Sequence, residues 1–264
     1  MPADNPGRSR SSPLSAYRTT LLRIAPIVTI LIAWELAALS GLWPRQVLVP
    51  LEQVGATLLA LASSGELERH VSASLYRLTC GFLTGSTIGV ATGVAMALSR
   101  NVHRLLWPSF TCVRQVPVIA FIPLLILFFD VEDSFKIVIV AIASFFPSAL
   151  ATHDAVRDIP ASHREVARLY RLPLASFLRR VILPATVPQV LTGLRLGLTR
   201  GWLSLVAAEL LAADSGLGQM MEMGRQLFQI DVVLCGVIVT GLIGFLLDGS
   251  VVRLERRLSR WRTA

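Results

Sequence analysis

Apolar residues arrive in this sequence as long runs with few charges, approximately Leu21–Ser40, Ser74–Leu98, His103–Phe128, Phe135–Thr152, Thr186–Ala212 and Val232–Val252. A helix needs about 20 predominantly apolar residues to cross a hydrocarbon core of roughly 30 Å. Lipid offers no partner to an exposed backbone N–H or C=O, so each run is expected to be a helix rather than an open sheet. The expected fold class is therefore all-α: a polytopic membrane protein with six transmembrane helices. Composition agrees, since only 16% of residues are charged against about 25% in soluble proteins. The expected organisation is a disordered cytoplasmic tail over residues 1–20, a membrane domain over 21–252 and a basic cytoplasmic tail over 253–264. The first run reads as an uncleaved helix rather than a signal peptide, because it is longer than a usual signal core and contains Glu35.

The net charge of +8 is arranged by side. With the N-terminus in the cytoplasm, that side receives 17 of the 25 basic residues, the other side receives Arg45, Arg69, Arg77, Lys136 and Arg225, and three remain inside the runs. This is the positive-inside bias of an even number of spans with both ends cytoplasmic. The same charge could serve nucleic acid, but it lacks the aromatic-interleaved patch or zinc-finger spacing that such a role needs. Cys80, Cys112 and Cys235 are far apart within apolar runs and read as small buried hydrophobes. His70, His103, His153 and His163 have no partner at ligand spacing, so no metal site is expected. The phosphate-cradling pattern G-x-x-x-x-G-K-[ST] is absent, so this chain is not itself an ATPase and no cofactor is expected in it.

Gly81, Gly85, Gly89 and Gly93 recur at intervals of four, and Gly193, Gly197 and Gly201 repeat the device in the fifth run. Such stripes let a neighbouring backbone approach closely in lipid. The third run is interrupted by Pro108, Pro117 and Pro123 around Arg114 and Gln115. It is either a kinked, fully packed helix or the wall of a wet pathway. Inside the runs Glu35 and Glu209 stand against Arg114, Arg195 and Arg200, a positive surplus suited to an anionic solute if those arginines face a cavity. The alternative is that Arg195 and Arg200 pair or snorkel.

Between the fourth and fifth runs lies one polar insert, SHREVARLYRLPLASFLRRVILP, residues 162–184. Ser162 and Glu165 form a capping box, so a helix is expected to begin there. Val166, Leu169 and Tyr170 then share one face and Arg164, Arg168 and Arg171 another, until Pro173 stops the pattern. A helix this short borrows stability from packing, and either a membrane surface or a groove on a cytoplasmic partner could cover its apolar face.

Glu165-Val166-Ala167-Arg168, then Phe177, Val181-Ile182-Leu183-Pro184, Pro188 and Gly193-Leu194-Arg195, resembles the EAA motif of permease subunits of ABC importers. The branch it resembles is that of the aliphatic sulfonate, taurine and nitrate permeases, whose pattern is echoed by Arg114-Gln115-Val116-Pro117, Phe145-Phe146-Pro147 and Ala207-Ala208-Glu209. The resemblance covers roughly residues 25–260. It implies that the insert, within a segment 155–184, is a cytoplasmic coupling helix offering Glu165, Val166, Ala167, Arg168, Leu169, Tyr170 and Arg171 to a separate ATPase subunit. It further implies a non-catalytic permease of the bacterial inner membrane, working as a homodimer with two ATPase subunits that bind ATP and magnesium, and with a periplasmic or lipid-anchored solute-binding protein. Arg114, Pro117, Arg195 and Glu209 are the expected translocation-path residues. The passenger stays open among sulfonate, taurine, nitrate, bicarbonate and a vitamin precursor. Three departures stand out: Val166 for the usual alanine, Arg171 for the motif glycine, and Asp130-Val131-Glu132 for the usual Gly-x-Gly. An ion-gradient-driven secondary transporter is the rival, although no internal repeat supports it.

Overall fold

Seven glycines decide how the helices meet. In the computed structural model, which describes residues 13–40, 44, 48–160, 169–170, 173, 176, 179 and 182–258, every regular element among the described residues is helical. Side chains are described from Ala25 onward, Ile27 excepted. Five elements precede the centre: α1 (Pro13–Leu39), α2 (Leu51–Ser63), α3 (Glu66–Leu98), α4 (Arg100–Val113) and, after a short 3-10 turn over Val118–Phe121, α5 (Ile122–Phe129). They are followed by α6 (Asp133–Arg157), α7 (Leu183–Leu211), α8 (Leu217–Gln226) and α9 (Ile230–Leu258).

The hub is α6, with α3 on one side and α7 on the other. Along α3, Gly81, Gly85, Gly89 and Gly93 face Ile137, Ala141, Phe145 and Ala149 of α6 in turn, so the two helices run parallel in a fixed register. A Cβ on Gly81 would lie 2.6 Å from the Ile137 carbonyl oxygen, and one on Gly89 2.6 Å from that of Phe145. Gly193 meets Ala151, Gly197 meets Ser144 and Ser148, and Gly201 meets Ser144 and Val140, so α7 runs antiparallel to α6. Small residues on both sides bring backbones together where lipid supplies no hydrophobic drive for packing. Ser144 seals the second seam by donating to the Gly197 carbonyl at 3.2 Å.

Among the described residues three helices, α3, α6 and α9, are long and apolar enough to cross a membrane. The expected third span is not one continuous helix: α4 and the 118–129 segment meet at 90°. Pro117, without an N–H, stands at that break, and the N–H groups of Gln115 and Val116 turn back to Cys112 and Val113 in i−3 fashion. The 29-residue α7 is as long as α9, but Arg195 and Arg200 interrupt its apolar run. The first run gives a shorter apolar stretch, Val28–Leu39. Within it Glu35 accepts the Leu51 N–H at 2.9 Å, capping α2, while the Trp34 indole donates to the Val49 carbonyl. That contact explains a carboxylate in an apolar run.

The seam makes a quantitative prediction. Gly89→Ala should destabilise the detergent-solubilised protein by about 1–3 kcal/mol, because the methyl meets backbone that cannot swing aside. Gly241→Ala, where nothing lies within 4 Å, should leave the thermal unfolding midpoint unchanged. Equal midpoints for the two variants would show that the seam is loose.

Candidate functional site

Polar groups gather at two places on this scaffold. The first is an open cavity of about 590 Å³ between the broken third span, α6 and α7. Arg114 and Gln115 enter it from the break, Pro147 and Asp154 from α6, and Gln189 and Arg200 from α7. The right-angle turn at Pro117 is what frees Arg114 and Gln115 from a helix wall. Both Arg114 and Arg200 are exposed, and among the described residues neither guanidinium has a hydrogen bond or ion pair. Because α6 and α7 are antiparallel, Arg200 lies at the level of Ser144 to Pro147, while Asp154 and Gln189 lie nearer the end where α6 stops and α7 starts. The cavity is thus lined by two cations that have no carboxylate partner among the described residues and by one carboxylate nearer the end where α6 stops, Asp154, which also meets the His153 imidazole at 2.9 Å. A second groove of about 540 Å³, around Val90, Val94, Val187 and Val190, presents an almost wholly apolar surface.

The second place is a buried charge network at the opposite end. Glu209, 1% exposed, accepts from Ser74 at 2.8 and 2.9 Å, from the Arg77 Nη1 at 2.9 Å and from the Gly218 N–H at 3.1 Å. Arg77 also donates to Asp133 at 2.7 Å and to the Ser215 carbonyl and hydroxyl, each at 2.6 Å. The Gly216 N–H reaches His70 and the Leu217 N–H reaches Ser74, so with Gly218 the turn into α8 has three successive N–H groups held from α3 and α7. Gly216 has φ +113, and a Cβ there would collide with the Glu209 carboxylate, so glycine is required for this turn.

Of the four expected path residues, the cavity contains Arg114, and Pro117 shapes its wall. Arg195 lies elsewhere, forked onto Asp248 of α9 at 2.5 and 2.7 Å, and Glu209 lies in the buried network. The count of three arginines against two glutamates inside the runs is corrected here, because it omits Asp248, which neutralises Arg195. Arg77, assigned by charge sidedness to an outer segment, is 2% exposed within α3. A signal for it existed: Ser74, Arg77 and Gly81 follow i, i+3, i+7 spacing on the buried face of the glycine stripe. Of the expected coupling residues, Glu165, Val166, Ala167, Arg168 and Arg171 lie outside the described residues. Leu169 and Tyr170 are 81% and 77% exposed. The segment is rooted behind them, where Ile182 packs with Val156 and Ile159 against Val94 and Ala97. Among the described residues no cluster of three or more His, Cys, Asp or Glu is placed to hold a metal ion.

The family model described as the binding-protein-dependent transport system inner membrane component matches residues 85–260. The chain belongs to that family. Among relatives of this permease, the aliphatic sulfonates transport permease SsuC of Bacillus subtilis (strain 168) is 36% identical over 98% of this chain and 91% of its own. The taurine transport system permease protein TauC of Escherichia coli (strain K12) is 35% identical over 94% of this chain and 92% of its own. A chain of the MetNI methionine ABC transporter, crystallised in inward-facing conformations, superimposes with a TM-score of 0.63 over 72% of this chain and 94% of that chain at 20% identity, which shows a shared fold. The protein is thus a membrane-spanning ABC importer permease of the bacterial inner membrane. Permeases of this family are generally non-catalytic, ATP being hydrolysed by separate subunits, and membership implies ATPase and solute-binding partners.

The buried network predicts an asymmetry between single and double variants. Arg77→Met should cost about 3–5 kcal/mol, since it strands the Glu209 carboxylate in the core. Adding Glu209→Gln should recover part of that loss in thermal unfolding of the purified permease. A double variant no more stable than Arg77→Met would mean that the two side chains are not energetically coupled.

Proposed function

We propose that this permease forms, as a homodimer of six-span subunits, the passage for a small anionic solute of the sulfonate class, and that Arg114 and Arg200 attract it there. The two guanidiniums that have no hydrogen bond or ion pair among the described residues, in a cavity whose lining also holds Asp154, carry this reading. Charges at such depth are expensive and are retained where they meet water or a solute. The relatives named for sulfonate and taurine transport support the chemical class. Asp248 and Arg77 answer the charges of Arg195 and Glu209, and on this reading those two residues hold helices together around the passage rather than attract the solute.

The end bearing residues 157–183 faces the cytoplasm together with both termini, and the end bearing residues 64–66, 130–133 and 212–217 faces outward. Exposed Leu169 and Tyr170 support the coupling reading, in which the segment Glu165 to Arg171 seats an apolar knob with a charged rim in a cleft of the ATPase subunit. ATP-driven closure of the ATPase pair moves the two plugs together and opens the passage outward. The solute enters from the binding protein, and hydrolysis resets the inward state. The chain itself performs no chemistry, and ATP and magnesium belong to the partner.

Sulfonate uptake by cells carrying the complete importer tests the cavity. Arg114→Gln and Arg200→Gln should each lower uptake by roughly 10-fold or more at equal expression, the scale of a lost charge-assisted hydrogen bond, and Arg195→Gln should lower it less. Wild-type uptake by the double variant Arg114→Gln/Arg200→Gln would exclude the cavity as the passage. Leu169→Asp should abolish co-purification of the ATPase subunit, by placing a charge where burial is required; a retained complex would place the knob elsewhere.

A further inference from the structure

The second, apolar groove opens on the other side of α6 from the cavity. Leu150, Ala151 and Asp154 line the cavity, whereas Thr152 is the α6 residue in the groove. Val90 and Val94 of α3 and Val187 and Val190 of α7 supply much of the rest. The two hydroxyls in its lining are spent within their own helices, Thr152 donating to the Ser148 carbonyl at 2.7 Å and Thr186 to the Ile182 carbonyl at 2.9 Å. Both threonines are buried. Among the described residues the lining holds one charge, Arg179, which is exposed and has no hydrogen bond or ion pair with another described residue. It lies just before α7, at the end of the groove. From Leu183, where α7 starts, to Leu191 the apolar wall rises eight residues, about 12 Å at 1.5 Å per residue. The hydrocarbon of one leaflet is about 15 Å deep, half of a core of roughly 30 Å.

We propose that this groove binds one phospholipid with a net anionic headgroup, its acyl chain lying along the valines of α3 and α7 and its phosphate meeting Arg179. An apolar trough nearly one leaflet long fits a hydrocarbon chain, and a lone guanidinium at its end fits a phosphate, which arginine can hold through two parallel N–H donors. Among the described residues no carboxylate lines the groove to turn an anion away. Basic pockets between helices at the cytoplasmic face suit anionic headgroups. Leu258, which also lines the groove, directly follows Arg256 and Arg257 and so keeps the local charge positive. Placing the lipid in the inner leaflet rests on the proposed orientation, with residues 157–183 at the cytoplasmic end; the match of trough and cation does not. The seated chain also bears on Ile182, which lines the groove and packs with Val156 and Ile159 where the polar insert leads into α7.

The experiment titrates the purified permease–ATPase complex in detergent with dioleoyl-phosphatidylglycerol and, separately, with dioleoyl-phosphatidylcholine. Bound lipid is counted by native mass spectrometry while the thermal unfolding midpoint is followed. Wild type should retain one phosphatidylglycerol per permease chain and rise in midpoint as it binds, with phosphatidylcholine held more weakly. Arg179→Gln should raise the half-saturating phosphatidylglycerol concentration roughly 5-fold, the scale of one basic residue at an anionic lipid surface, and leave phosphatidylcholine binding unchanged; Arg179→Lys should restore most of the difference. Val190→Trp, which fills the trough with an indole, should lower retention of both lipids. Arg179 is exposed and unpaired among the described residues, so its variants decide the matter even where Val190→Trp folds poorly. Equal wild-type affinity for the two lipids, unchanged phosphatidylglycerol affinity in Arg179→Gln, or full retention by a folded Val190→Trp overturns the proposal. So does a wild-type complex that retains no lipid, since a helix of the second copy would then cover the groove. None of these readouts depends on which way the groove faces, so a reversed orientation would leave the lipid site standing and move it to the other leaflet.

Discussion

Backbone contact between α6 and its two neighbours is the constraint on which the rest of this molecule depends. Inside a bilayer the hydrophobic effect cannot drive one apolar helix onto another, so association rests on close packing and on polar contacts. Four glycines on α3 and three on α7 supply the packing, and each meets backbone or a small side chain of α6. The resulting trio fixes the level of every polar residue it carries. Ser74, Arg77 and Glu209 come together because the registers of α3 and α7 against α6 place them at one depth.

The same rigidity accounts for where the open cavity lies, beside the break in the third span. A helix packed as tightly as α6 has no room for a solute on its glycine seams. The broken span, by contrast, exposes backbone and two long polar side chains at the Arg114–Pro117 turn, and Pro147 on α6 faces the same space. Irregular backbone at membrane depth is tolerated only against protein or water. The charges divide accordingly. Arg77 and Arg195 meet carboxylates and hold helices together, whereas Arg114 and Arg200 meet none among the described residues and face the open cavity.

Much of this was legible in the residue order. The i, i+4 glycine stripes pointed to tight packing, and the proline cluster around Arg114 pointed to an interrupted span. Pairing was not legible in the same way, because partners are separated by 132 positions for Arg77 and Glu209 and by 53 for Arg195 and Asp248. Helical periodicity says which residues share a face but not which face another helix brings to it. Counting charges by side misplaced Arg77 for a related reason: α3 begins at Glu66, about two turns before its apolar run, and carries its polar first turns into the packed core. Glu35 likewise looked like an isolated cost, since a carboxylate capping the next helix across a loop leaves no periodic trace.

One element joins the two ends of the molecule. At 29 residues, α7 is about 44 Å long, and it runs unbroken from Ile182, rooted with Val156 and Ile159, to Glu209 in the buried network. On the proposed reading, the ATPase acts at the first of these points. Between them α7 presents Arg200 to the cavity and Gly193, Gly197 and Gly201 to α6. These glycine contacts clamp the stretch from Gly193 to Gly201 against α6, so a movement of that stretch reaches the cavity wall at Arg200 directly. On that reading the compliance of the transport cycle lies outside the trio, in the 90° joint of the third span.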